Sequence, residues 1–395
     1  MDNKEHIISV SLAFLGILCT IIVGLVLWCT RKRLKRVPQT DLWLLVPPRR
    51  CSRVELTMVE EIGKGGFGPV YRGYLSGHDC HVAIKMHSGE SSEQGRREFW
   101  AEVRTMTSLR HRNIVQLLGW CNDPGGDLML VYEFMSNGSL DKHLHDPERL
   151  LTWPDSYKIL LGLGSAVLYL HTECEQCVVH GDIKPANIML DPSGNAKLGD
   201  FGQARLLDHG ADSLTTQVIT GTAGYIDPEF INSQRPSLES DVYSFGVVLL
   251  EIACGKRPTS AVIQSNDGAS LLLLSWVRHM YRRDMILGTA DRRLDGEFDK
   301  RQMMRVLITG LWCVQGDRSR RPSIAQAMDL LRRDDGVLPV VDLAMDSHTH
   351  ESVRSLEERA YRDLSAEDSS ASADSPNETA YYYTSKDSTF LAVDW

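Results

Sequence analysis

Hydrophobic and polar positions are arranged in three different ways along the chain, and each arrangement predicts a different kind of element. Ile7 to Thr30 is a run of 24 residues without a charge, rich in Ile, Leu and Val. As a helix rising ~1.5 Å per residue it spans roughly 36 Å, enough for a ~30 Å hydrocarbon core. From Arg96 to Leu109 apolar residues recur at helical spacing, with Phe99, Val103 and Met106 on one face. The apolar alternation after Gly68 and the run Leu128 to Met135 read as strands. Beyond Asp346 the pattern lapses. The stretch to Asp387 is rich in Ser, Asp, Glu and Thr with few large aliphatics, too few to bury a core, so no ordered structure is expected there.

The flanks of the apolar run separate an anchor from a cleaved leader. A leader has a basic start, a shorter apolar region and a small-residue cleavage site. Here the start, Met1 to His6, is of mixed charge, and five basic residues follow within Arg31 to Arg36. Basic residues at one end place that end in the cytoplasm. The expected organisation is a short outer segment 1–6, a transmembrane helix 7–30, a basic juxtamembrane linker 31–53, a catalytic domain 54–333 and an acidic Ser-rich tail 334–395. On this reading the chain sits in the plasma membrane, N-terminus outside.

Charge adds little beyond that. The net charge of −9 lies mostly in the tail: Val341 to Trp395 holds 12 acidic and 4 basic residues, leaving 40 acidic against 39 basic elsewhere. A nearly neutral body gives no argument for nucleic-acid binding. Nine scattered cysteines do not form a disulfide framework, and Cys174-Glu-Gln-Cys177 lacks the second pair that would complete a metal site.

The chemistry is concentrated in two clusters. The first is Ile62-Gly63-Lys64-Gly65-Gly66-Phe67-Gly68-Pro69-Val70, followed by Val82-Ala83-Ile84-Lys85. Its glycines let backbone lie close over phosphates, and no Gly-Lys-Ser/Thr follows, so this is not a Walker A loop. The second is His180-Gly-Asp182-Ile-Lys184-Pro-Ala-Asn187, then Asp200-Phe-Gly. Together they match the catalytic signatures of protein kinases.

That resemblance implies an α+β, bilobal protein kinase fold: a small β-rich lobe with one regulatory helix, and a large helical lobe. It also implies roles for individual residues. The loop Ile62 to Gly68 with Val70 and Ala83 would enclose ATP, Lys85 would reach its phosphates, and Glu102 would pair with Lys85, leaving Glu98 on the surface. Backbone groups of Glu133 and Met135 would meet the adenine, with Tyr132 behind it. Asp182 would orient the acceptor hydroxyl, Lys184 would balance phosphoryl charge, and Asn187 and Asp200 would hold Mg²⁺. Thr222 would shape the acceptor site. Glu229, in Asp227-Pro228-Glu229, would form a buried ion pair with Arg321, and Asp241 would anchor the catalytic loop. Lys184 and Gly221-Thr222 are similar to serine/threonine kinases, acting on cytoplasmic proteins and on the chain itself.

Two positions depart from the usual pattern: Gly181 stands where most kinases have Arg, so loop phosphorylation should matter less, and Gln203 stands where Leu is commoner. Gln203 and the juxtamembrane segment around Trp43 to Pro48 keep a second reading open, that of a catalytically weak kinase-fold scaffold or co-receptor partner. Segments such as His111 to Cys121, Ser136 to Asp141 and Gly246 to Gly255 resemble plant receptor-like kinases. His180 to Asp191 most resembles the L-type lectin receptor kinases. No lectin-like sequence precedes the apolar run, so no carbohydrate site is expected in this chain, and a separate sensing receptor is an expected partner.

Overall fold

The computed structural model describes residues 56–65, 68–75, 79–87, 93–122, 128–207, 218–219, 221–233, 235–260, 263–264, 270–333, 338–342, 379–384 and 391–394. All fall within one compact unit, Arg50–Trp395. The expected transmembrane helix 7–30 and most of the linker lie outside the described residues. Among those described, no helix is long and apolar enough to cross a membrane.

The small lobe is an antiparallel sheet of β1 (Leu56–Gly65), β2 (Gly68–Leu75), β3 (Cys80–His87), β4 (Leu117–Asn122) and β5 (Leu128–Glu133), in the order β1-β2-β3-β5-β4. β5 shows why it is a strand: Leu128, Leu130 and Tyr132 are buried while the residues between them are less so. Helix α1 (Glu93–Met106) packs on this sheet through Phe99, Val103 and Met106. Glu98 is also buried, at 4% exposure, which corrects the expectation of a surface residue. It lies on the side of α1 that meets the strand carrying Arg205, and its charge acts on that guanidinium.

The large lobe follows. Short α2 (Leu140–Leu144) leads to α3 (Trp153–Leu168), which starts where Thr152 accepts a hydrogen bond from Asp155 N. A π-helical turn, Tyr169–Glu173, ends it. Strands β6 (Cys177–Val179), β7 (Ile188–Leu190), β8 (Ala196–Leu198) and β9 (Arg205–Leu207) form two small antiparallel pairs, β6 with β9 and β7 with β8. Cys174 and Cys177 flank the start of β6 as free thiols, both pushed up in pKa chiefly by burial.

After β10 (Val218–Ile219) and α4 (Pro228–Ser233) comes α5 (Leu238–Cys254), the axis of the lobe. Ser240 to Cys254 are all buried, because helices and the catalytic loop pack around it. Helices α6 (Leu273–Arg282), α7 (Lys300–Cys313) and α8 (Ile324–Arg332) complete the lobe, α8 opening on a reciprocal Ser323–Gln326 cap.

Order does not stop at 333, where the sequence reading ends the domain. Val341 is buried, and its N–H donates to Tyr281 Oη at 3.1 Å. Further on, Thr379–Thr384 pairs antiparallel with Leu391–Asp394 and with β10, where no ordered structure was expected.

Candidate active site

The two clusters meet between the lobes. Lys85, on β3, places Nζ 3.1 Å from Glu102 Oε2 of α1 and 2.7 Å from Asp200 Oδ1. Burial alone would push the Lys85 ammonium down, but the two carboxylates reverse this and hold it above the ordinary lysine range. Burial also works against the Asp200 carboxyl, yet Lys85 holds it below the usual range. Glu102 is pushed up by burial, despite Lys85. Tyr132 Oη donates to Glu102, so β5 also fixes this acid of α1.

The hairpin above this group is β1–β2, with Gly65 opposite Gly68 and Val70 opposite Lys85. Ile62 is partly exposed, and Gly63 to Gly65 end β1; Gly66 and Phe67 lie outside the described residues. A Cβ at Gly68 would stand 2.0 Å from Met86 O, so only glycine lets β2 pass this close to β3. Ala83 faces Tyr132 across the β3–β5 ladder. The Glu133 carboxylate is engaged elsewhere, by Lys197 Nζ at 2.7 and 2.8 Å, and buried Met135 accepts from Gly138 N.

Across the cleft, Asp182 is 6% exposed and surrounded by donors. Thr222 Oγ1 donates to its Oδ1 at 3.0 Å, and Asn187 Nδ2 donates to its Oδ2 at 2.9 Å and to its backbone O at 2.8 Å. Lys184 Nζ lies 3.4 Å from Asp182 Oδ2 and donates to Thr222 Oγ1 at 2.7 Å. Asp182, Lys184, Asn187 and Thr222 therefore form one connected unit. Asn187 spends its amide N–H groups on Asp182, and its Oδ1 accepts no hydrogen bond from the described residues. With the Asp200 carboxylate, this is an oxygen donor set that fits a hard divalent cation.

Asp241 of α5 holds the loop from below. Its Oδ2 accepts from His180 N at 2.8 Å and lies 3.0 Å from His171 Nε2, while Oδ1 accepts from Gly181 N at 2.9 Å. Gly181 has φ +83°, a conformation that side chains rarely adopt, and a Cβ there would stand 3.2 Å from Gln203 O. The two departures from the usual pattern are thus neighbours. A cleft opens beside them, its lining including Asp182, Thr222, Tyr225 and Asp227. Gln203 Oε1 is buried there with no hydrogen-bond partner among the described residues.

A family model described as the protein kinase domain matches residues 56–330. The chain belongs to the protein kinase family. It is similar to L-type lectin-domain containing receptor kinase IX.1 of Arabidopsis thaliana, 42% identical over 377 residues covering 90% of this chain and 57% of that protein. L-type lectin-domain containing receptor kinase SIT1 of Oryza sativa subsp. japonica is 45% identical over 284 residues, 72% of this chain and 41% of that protein. The chain spans about half the length of the curated relatives it matches.

One expected contact of this kinase domain is corrected. Arg321 does not pair with Glu229. Its Nη2 donates to Asp227 Oδ1 at 2.7 Å, both side chains fully buried, while Glu229 pairs with the more exposed Arg318. Asp227 sits just before α4 and its carboxylate accepts from Glu229 N, which turns it inward; Glu229, already in the helix, points elsewhere. A second acid, Asp227, directly before Pro228 was the available signal.

Sequence reasoning also missed Glu251 of α5. It is 0% exposed and bonded to Tyr225 Oη at 2.6 Å and His145 Nε2 at 2.7 Å. Nothing in its local pattern separates it from an ordinary helix acid. Tyr225→Phe removes one donor from this buried carboxylate and is expected to cost ~1–3 kcal/mol. The midpoint of urea unfolding checks it; an unchanged midpoint would show that the hydroxyl carries no net stability.

Proposed function

We propose that this chain is a membrane-anchored serine/threonine protein kinase that transfers the γ-phosphate of ATP to hydroxyls of cytoplasmic proteins and to itself. The observation that supports this most is the connected Asp182–Thr222–Lys184–Asn187 unit facing the Lys85–Glu102–Asp200 group. Phosphoryl transfer asks little covalent chemistry of a protein; it asks for positioning and charge neutralisation.

Lys85, fixed by Glu102, binds the α- and β-phosphates under the loop Ile62 to Gly68. Glu133 and Met135 meet the adenine through their backbones. Asp182 accepts the proton of the attacking hydroxyl, and Thr222 orients that hydroxyl from the acceptor side. Lys184 lies within reach of both and neutralises charge that develops on the transferred group. Asn187 and Asp200 would hold Mg²⁺, which supplies positive charge against the phosphate oxygens when bound. Because Gly181 provides no guanidinium, phosphorylation of the activation segment has less to act on than in most kinases.

The uncharged run 7–30 and the basic residues after it support a single plasma-membrane span with the kinase domain inside. The curated relatives are named as receptor kinases, which supports the same setting and a place in receptor-type signalling. The test is transfer of radiolabelled phosphate from Mg·ATP by the full chain, with Lys85→Met as control and the labelled residues mapped. Label on Ser and Thr that the control abolishes is the expected result. A folded, ATP-binding chain that transfers none would overturn it in favour of the scaffold reading.

A further inference from the structure

Two acids two residues apart stand where the acceptor-side loop enters α4, and they are held very differently. Asp227 is 1% exposed. Its Oδ1 accepts from Arg321 Nη2 at 2.7 Å and from Glu229 N at 3.0 Å, its Oδ2 from Ser240 Oγ at 3.1 Å, and its backbone O from Phe230 N at 3.0 Å. Arg321 is engaged just as fully. Nε donates to Gln315 O at 2.8 Å, Nη1 to Glu239 O at 2.9 Å and Nη2 also to Gly316 O at 3.2 Å. The guanidinium carbon lies 5.0 Å from the centre of the Tyr243 ring. Four of its five N–H groups are thereby matched, and the pair ties the loop to both α5 and the turn before α8.

Glu229 pairs instead with Arg318, and both side chains retain more than a quarter of their exposure. An ion pair in that setting is screened by water and contributes little. Its partner, Arg318, also reaches Ser233 Oγ at 3.2 Å, within α4 itself.

We propose that Asp227, rather than Glu229, is the positioning residue that fixes the acceptor-side loop to the large lobe, with Glu229–Arg318 an accessory tie. Asp227 is two residues from Tyr225, whose hydroxyl rests on Glu251, and five from Thr222, whose hydroxyl rests on Asp182. Releasing Asp227 frees the loop that presents Thr222, while Lys85, Glu102 and Asp200 lie on other elements. The effect falls on the protein substrate, not on ATP. This assignment rests on the kinase reading above.

The test compares Asp227→Asn with Glu229→Gln in the full chain, with steady-state kinetics and hydrogen–deuterium exchange over residues 221–233. Asp227→Asn is expected to lower kcat/KM for a protein substrate by roughly 10²-fold through misplacement of the loop, with KM for ATP unchanged and exchange in 221–233 accelerated. Glu229→Gln should leave both readouts close to the parent. A Glu229→Gln loss as large as that of Asp227→Asn overturns the proposal, and so does an Asp227→Asn chain that raises KM for ATP and protein substrate alike. Glu229→Gln alters only a partly exposed pair, so its result decides the matter even if Asp227→Asn does not fold. If the parent chain transfers no phosphate, the kinase reading fails first; the exchange comparison still tests which acid holds the loop.

Discussion

Asp182→Asn is expected to lower kcat by about 10²–10⁴-fold, the range a positioned general base contributes. The amide oxygen can still accept from Thr222 Oγ1, which now lies 3.0 Å from Oδ1. The amide nitrogen, however, replaces an acceptor that two donors approach, Asn187 Nδ2 at 2.9 Å and Lys184 Nζ at 3.4 Å. The substitution therefore removes the charge, the proton acceptor and part of the alignment together. The decisive measurement is kcat at saturating ATP and protein substrate. Activity within tenfold of the parent would mean that Asp182 is not the base and that the unit around Thr222 serves only structure.

The second large effect is on stability. Arg321→Ala leaves Asp227 as a fully buried carboxylate without its cation, and is expected to cost ~3–5 kcal/mol. Against a total of ~5–15 kcal/mol for a folded domain, that is a large fraction. Urea unfolding followed by tryptophan fluorescence checks it, with Arg318→Ala as the comparison. Arg318 serves a partly exposed pair, so its removal should cost no more than ~1 kcal/mol. Equal losses for the two would show that burial does not separate these pairs in the way the geometry requires.

The contrast between these arginines is one that local sequence does not encode. Arg318 and Arg321 are three residues apart, and Asp227 and Glu229 two apart, so spacing permits either pairing. The choice depends on which acid the α4 N-terminus turns inward, and that follows from Asp227 accepting Glu229 N before the first helical turn. The two acids of α1 pose the same difficulty. Glu98 and Glu102 are four residues apart and share a face, which α-helical periodicity cannot divide. Glu102 meets Lys85, while Glu98 is buried toward the β9 strand and Arg205. Both are buried because α1 has a neighbour on each flank, and no local pattern records the second neighbour.

Glu251 carries the point further, since its partners lie 26 and 106 residues away in the chain. A pattern read along the chain has no means of joining them. Gly181 and Gln203 are likewise 22 positions apart and adjacent in space, a relation that only the β6–β9 pairing creates.

By itself, then, the sequence determined the two-lobed kinase fold, the glycine-rich hairpin, Lys85, and the residues Asp182, Lys184, Asn187 and Asp200. They are legible because they fall in two clusters whose spacings match the protein kinase pattern. Tertiary structure alone decided which acid answers Arg321, where Glu98 and Glu251 are buried, and how Tyr132 and Thr222 join the charged groups. Those choices depend on burial and on contacts between distant segments, and a buried charge is settled only by the partner that the fold brings to it.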